Sequence, residues 1–222
     1  SLACLTRRGA VAADGKSGDG CGLLFRTPDS FLRTVAQELN IALAEHYAAG
    51  LVFLSQDVEI AAASRSALQK ALVAQGLEVA GFRVVPVNLE ACGEYALQTL
   101  PQIEQVLVNC PSAMSVAQFE RKLFVARRLA EKARKELDPA FYLPTLSPHI
   151  LSYKGLVTPD NLAVFYTDLQ DERFASSLAV YHQRFSTNTW PQWRLAQPFR
   201  YLAHNGEINT LQANRSWARA RE

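Results

Sequence analysis

Short apolar runs, separated by a few polar residues and interleaved with stretches of helical periodicity, constrain this chain more than any other feature. Runs at 23–25, 47–54, 77–87, 103–109, 141–147, 152–157, 177–185 and 199–203 have the length and composition of strands. Several follow one another through short links. Such links suit antiparallel pairing, because a parallel crossover needs about a dozen residues or more. Between the runs, Phe31, Leu32, Val35 and Leu39 form a helical stripe, with Thr27 as N-cap and Pro28 at the first helical position. Asp57 caps a helix over 58–72, and Gly76 closes it. Ser115 and Gln118 form a capping box that opens the longest helix. Val116, Phe119, Leu123, Ala126, Ala130, Ala133 and Leu137 lie along one side of it, and Asp138-Pro139 ends it. The expected class is mixed α/β, with helices covering a largely antiparallel or mixed sheet.

A chain of 222 residues makes one large domain or two small ones. A net charge of +2 is too small to imply nucleic acid, and the basic clusters are scattered. Cys4, Cys21, Cys92 and Cys110 form no CxxC pair and no zinc set with histidine. They read as reduced thiols of a cytosolic-type protein. No apolar run approaches the roughly 18 residues of a membrane helix. Residues 1–8 lack the form of a signal peptide, because their charge lies at the wrong end. Leu2 and Leu5 are at helical spacing, and so are Ile208, Leu211, Trp217 and Ala218. Both ends therefore read as cut in mid-helix, and the expectation is a single domain over 1–222, truncated at both termini.

Three motifs carry chemistry. The stretch from Gly9 to Gly15-Lys16-Ser17 approaches a P-loop, but five residues separate the first glycine from Gly-Lys where a P-loop has four. Residues 10–22 read instead as a tight glycine-rich loop that brings backbone near a site. Asn205-Gly206 can be a plain hairpin turn. It can also be a strand–turn–helix junction offering the Asn205 amide and the Gly206 N–H as a pair of donors to an oxyanion. Arg184 can be a surface ion-pair residue. With Ser186, Thr187 and Asn188 beside it, it can also clamp the carboxylate of a small zwitterion.

Taken together, several motifs name a family. They are Arg8-Gly9-Ala10, the run 14–20, Tyr153-Lys154-Gly155, the run 182–189, the run 195–199 and the run 202–210. In this order the chain closely resembles the N-terminal glutamine amidotransferase domain of glutamate synthase large subunits, a class II, N-terminal-nucleophile (Ntn) amidotransferase. The resemblance implies a four-layer αββα sandwich of the Ntn-hydrolase type, here incomplete at both ends. It implies that an N-terminal cysteine attacks the side-chain amide of glutamine, with its own α-amino group as base. Ammonia then passes to a distant synthase site that aminates 2-oxoglutarate. By position, Arg184 would bind the α-carboxylate of glutamine, with Ser186, Thr187 and His204 also at the substrate. Asn205 and Gly206 would form the oxyanion hole, and Arg8 would lie near the nucleophile. The parent enzyme would use FMN and an iron–sulfur cluster, neither of them bound by this stretch. Its partners would be the synthase domains and a small reductase subunit, in the cytoplasm or a plastid stroma.

One departure stands out. The family begins with a Cys-Gly-Phe-Gly-type strand and a helix, roughly thirty residues ahead of Arg-Gly-Ala, that supply its nucleophile. Arg7 also stands where the family usually has histidine. Without the cysteine, this stretch by itself is expected to be inactive. A non-catalytic glutamine-binding module is the alternative reading, and an amidase using Ser1 is a third.

Overall fold

The computed structural model describes residues 2–4, 9–183, 191–200 and 211–221, with side chains from 215 onward in the last stretch. Strand β2 (Tyr47–Leu54) is buried along its whole length. It pairs antiparallel with β4 (Gln102–Asn109), from Tyr47 opposite Asn109 to Leu54 opposite Gln102. β4 pairs in turn with β3 (Glu78–Val84), giving the order β2-β4-β3. Both faces of this sheet are covered, which is why the β2 and β4 sequences run apolar without alternation. Ala48, Val52, Leu54, Val106 and Val108 face one cluster; Ala49, Leu51, Phe53, Ile103 and Leu107 face another. The period of two along each strand makes that division.

The first cluster is roofed by two helices. α2 (Val58–Ala74) contributes Ala61, Leu68 and Leu72, and α4 (Val116–Arg134) contributes Phe119, Leu123, Ala126 and Ala130. Both start where the sequence says. The Asp57 carboxylate accepts from the backbone N–H of Glu59 and Ile60 at 2.9 and 3.0 Å. Ser115 and Gln118 complete a reciprocal capping box. Gly76, at φ 72°, follows the end of α2. α4 stops at Arg134, so Leu137 lies beyond it and is exposed, contrary to the expected stripe.

The second cluster lies between two sheets. The other sheet has the order β5-β1-β6, with β1 (Ser17–Arg26) in the middle, β5 (Ile150–Val157) on one side and β6 (Ala179–Gln183) on the other. Both pairings are antiparallel. Cys21, Phe25, Leu151 and Tyr153 point into the space between the sheets, where α1 (Asp29–Glu38) adds Phe31, Leu32 and Ala36. α5 (Leu162–Phe165) closes that core with Leu162 and Phe165. α3 (Glu94–Gln98) and α6 (Leu211–Arg219) complete the elements. The result is an α+β fold with two stacked antiparallel sheets and a helical layer on the outer face of one.

Four further expectations are corrected. Residues 10–22 are not all loop. Val11 bridges Gly18 antiparallel and β1 begins at Ser17, so the stretch is a hairpin that feeds the central strand. Thr27 does not cap α1, because its hydroxyl donates to the Pro148 carbonyl at 3.2 Å and Pro28 stands at the cap position. Residues 141–147 form no regular strand. They run beside β2 through isolated bridges at Phe53–Tyr142 and Ala49–Ser147. Their approach requires Gly50, where a Cβ would overlap the Thr145 carbonyl oxygen. Trp217, expected on an apolar helix face, is exposed. The C-terminal helix otherwise appears as α6, and the expected run at 199–203 falls mostly outside the described residues.

Candidate functional site

Every residue that the sequence nominates for chemistry lies outside the described residues: Arg8, Arg184, Ser186, Thr187, His204, Asn205 and Gly206. The structure describes the scaffold that delivers them. Three stretches of chain lead to these residues, and all three abut the first half of β1.

The first stretch is the hairpin after Arg8. It is held by carboxylates. Asp14 accepts from the N–H of Lys16 and Ser17 at 3.0 and 2.7 Å, from the Ser17 hydroxyl at 2.5 Å and from the Tyr95 N–H at 3.2 Å. Burial acts to raise the Asp14 carboxyl, but the hydrogen bonds from Ser17, Lys16 and Tyr95 outweigh it and hold the group well below the usual carboxylate range. Asp14 is thus a fixed structural anion. Asp19 caps the other side of the hairpin, accepting from the Ala10 N–H at 2.9 Å. The Ser17 hydroxyl also accepts from the Ala96 N–H at 3.1 Å, which ties the hairpin to α3.

The second stretch is β6, which ends at Gln183, next in sequence to Arg184. Gln183 pairs with Cys21 of β1. Gly9 lies against it so closely that a Cβ there would overlap the Gln183 side-chain amide. The residue after Arg8 therefore touches the residue before Arg184. Gly9 and Gln183, far apart in sequence, are thus adjacent in the fold.

The third stretch is 191–200, which precedes His204, Asn205 and Gly206. A 3₁₀ turn at Trp193–Leu195 seats Trp193 in the core, where its indole N–H donates to the Ala96 carbonyl at 3.2 Å. Ala196 rests against Gly20, and a Cβ at Gly22 would crowd both the Gln197 carbonyl and the Lys154 side chain. Arg200 pairs with Glu120 of α4 and donates to the Leu146 carbonyl at 3.2 Å. Lys154 of β5 donates to the Arg194 carbonyl at 2.8 Å. Its Nζ lies 5.0 and 4.8 Å from the ring centroids of Tyr142 and Phe199.

Lys154 is the buried polar side chain that sequence reasoning passed over. It was visible only as a lysine inside an apolar strand, within Tyr153-Lys154-Gly155. Burial, with the Arg127 guanidinium as a second cause, pulls its ammonium down to about 7 from an ordinary 10.5. The folded state therefore favours the neutral amine, and between those values the unfolded chain binds a proton that the folded chain does not. Stability should accordingly be lowest below pH 7 and should rise as the pH climbs from about 7 toward 10.5, by about 1 kcal/mol per pH unit. Lys154→Met should flatten that rise. Urea midpoints at about pH 6.5 and 9.5 for both proteins check it.

The buried thiols Cys21, Cys92 and Cys110 are all pushed up by burial and so are not activated. Burial, with Asp160 nearby, pushes Cys21 far up, and its S–H donates to the Val157 carbonyl at 3.1 Å. Burial and the Asp14 charge push Cys92 up to about 11. Cys21 and Cys92 are both packing residues. Among the described residues, no group of three or more His, Cys, Asp or Glu side chains could hold a metal ion, and no helix is long and apolar enough to cross a membrane.

The described scaffold thus holds Gly9 against Gln183 and fastens the segment 191–200 to β1 and β5. Comparison with known proteins gives the family. The family model for class-II glutamine amidotransferases matches residues 1–222. The chain is 43% identical to a glutamate synthase [NADPH] large chain of Azospirillum brasilense and 42% identical to that of Bacillus subtilis, all of this chain aligning with 15% of each. It is 40% identical to ferredoxin-dependent glutamate synthase 1, chloroplastic/mitochondrial, of Arabidopsis thaliana, covering 14% of it. The chain therefore spans about one seventh of the length of these relatives. On its sequence and its fold, this chain belongs to the class-II glutamine amidotransferases.

Proposed function

We propose that this chain is the glutaminase part of a glutamate synthase large chain. It hydrolyses the side-chain amide of L-glutamine and releases ammonia for amination of 2-oxoglutarate elsewhere in the same polypeptide. The observation that carries the reading is the alignment of the whole chain with glutamate synthases at about 40% identity. The contact of Gly9 with Gln183 supports it, because one substrate-sized site needs Arg8 and Arg184 as neighbours.

In this reading Arg184 forms a bidentate pair with the α-carboxylate of glutamine. Ser186, Thr187 and His204 complete the contacts to the amino acid. Asn205 and Gly206 donate to the oxygen that gains negative charge as the amide carbon becomes tetrahedral. Arg8 lies beside the nucleophile, an N-terminal cysteine supplied by polypeptide ahead of this stretch. That thiolate attacks the amide, ammonia leaves, and water cleaves the thioester to glutamate. The chain forms part of one amidotransferase domain. FMN and an iron–sulfur cluster belong to the remainder of the large chain. The described residues offer no donor set for a cluster, and no step here passes through either group. A small reductase subunit is a further proposed partner, and the compartment is the cytoplasm or a plastid stroma.

The test uses the full polypeptide that contains this chain. Arg184→Ala should raise KM for glutamine by about 100-fold, as expected when one partner of a desolvated charge pair is removed. The reaction from added ammonium should be unaffected. An unchanged KM would remove Arg184 from the substrate. A folded wild-type protein that binds glutamine without hydrolysing it would turn the reading into that of a binding module.

A further inference from the structure

Lys154 is fully buried, yet it forms no ion pair among the described residues. Its one hydrogen-bond acceptor there is the backbone carbonyl of Arg194. A buried amine, charged or neutral, with a single backbone acceptor is costly, and an apolar side chain in the same strand would fill the space without that cost. The fold is also shaped around it. β1 carries Gly22 opposite Lys154 in the register, and any side chain at Gly22 would strike both Lys154 and the Gln197 carbonyl. The aromatic faces of Tyr142 and Phe199 flank the Nζ and accept its partial charge. Its partners Arg194 and Phe199 lie near the two ends of the segment 193–200, which it thereby clamps to the sheet. Asn205 follows Arg200 by five residues, at most roughly 18 Å of chain.

We propose that Lys154 is a positioning residue for glutamine hydrolysis: by clamping 193–200 onto β5 it fixes the point from which Asn205 and Gly206 reach the reacting amide. The proposal rests on the glutaminase reading above. Lys154 acts through the segment and makes no contact with substrate. The other charged or titratable groups of this neighbourhood are Arg127, Arg128 and Glu131 of α4, Arg194 itself and the Tyr142 hydroxyl. Misplacement of oxyanion donors harms the transition state more than the bound ground state, so the effect should fall on kcat.

The experiment compares wild type, Lys154→Met and Lys154→Arg in the full polypeptide. It measures glutamine hydrolysis, amination of 2-oxoglutarate from added ammonium, and native-state tryptic cleavage after the exposed Arg194. Lys154→Met should lower kcat for glutamine about tenfold or more, with KM within about threefold. Cleavage after Arg194 should be several-fold faster, and the ammonium reaction should match wild type. Lys154→Arg should recover part of kcat, since it can still donate to the carbonyl. A Lys154→Met protein with wild-type kcat and wild-type cleavage overturns the proposal. So does a parallel loss of both reactions with a lowered melting temperature, which would mark a purely structural lysine. A wild-type protein inert toward glutamine overturns the glutaminase reading itself, an outcome the other two arms do not produce.

Discussion

Arg83→Met should destabilise the folded protein by about 3–5 kcal/mol, a large fraction of the 5–15 kcal/mol typical of a native protein. Arg83 of β3 sits between the two sheets. Its guanidinium donates to Asp168 at 2.5 and 3.3 Å, to Gln105 Oε1 at 2.7 Å and to the Tyr153 hydroxyl at 3.2 Å. Tyr153 donates its own proton to Asp168 at 2.6 Å. The side chains of Arg83 and Asp168 are each only 5% exposed, so removing the arginine strands a carboxylate in the core. The loss comes from that stranded charge more than from the pair's own attraction. The double variant Arg83→Met/Asp168→Leu should therefore recover much of the stability. Urea unfolding of the single and double variants reads both effects. Equal midpoints for Arg83→Met and wild type would contradict the stranded-charge account of this pair.

The second large effect is catalytic. Asn205→Ala in the full polypeptide should lower kcat for glutamine by about 100- to 1,000-fold while leaving KM nearly unchanged. That is the pattern of a donor used only in the transition state. The Asn205 amide and the Gly206 N–H follow a segment that is fastened at Trp193, Arg194 and Arg200. Preorganised donors need such fastening, since their value lies in not having to reorganise as charge develops. A drop in kcat of less than about tenfold would remove Asn205 from the oxyanion site.

Local signals in the sequence predicted the helices and the buried sheet well. Asp57, Ser115 with Gln118, and Gly76 act within a few residues of themselves, so their caps and turn could be read directly. The unbroken apolar run 47–54 announced a strand covered on both faces. Two of the misreadings were non-local. Whether 141–147 joins a sheet depends on Gly50, nearly a hundred residues earlier, leaving room for its backbone. Thr27 had a standard capping position, but the Pro148 carbonyl was a competing acceptor that only the fold supplies. The glycine-rich stretch looked like loop because glycine disfavours strands. Its hydrogen bonds come from Asp14 and Asp19, which close it as a hairpin. At the site, motif order nominates Arg184, Asn205 and Gly206, which lie outside the described residues. No pattern in the strand revealed that Lys154 reaches the Arg194 carbonyl, because that contact depends on a turn forty residues later.

The most direct test of the central claim follows the amide nitrogen. The purified full polypeptide is incubated with glutamine labelled with nitrogen-15 at the side-chain amide, both alone and with 2-oxoglutarate and a reductant. If this chain is the glutaminase part of a glutamate synthase, the label appears as ammonium or in newly formed glutamate, and Asn205→Ala suppresses its release. Folded protein that leaves the label in glutamine under both conditions would contradict the account.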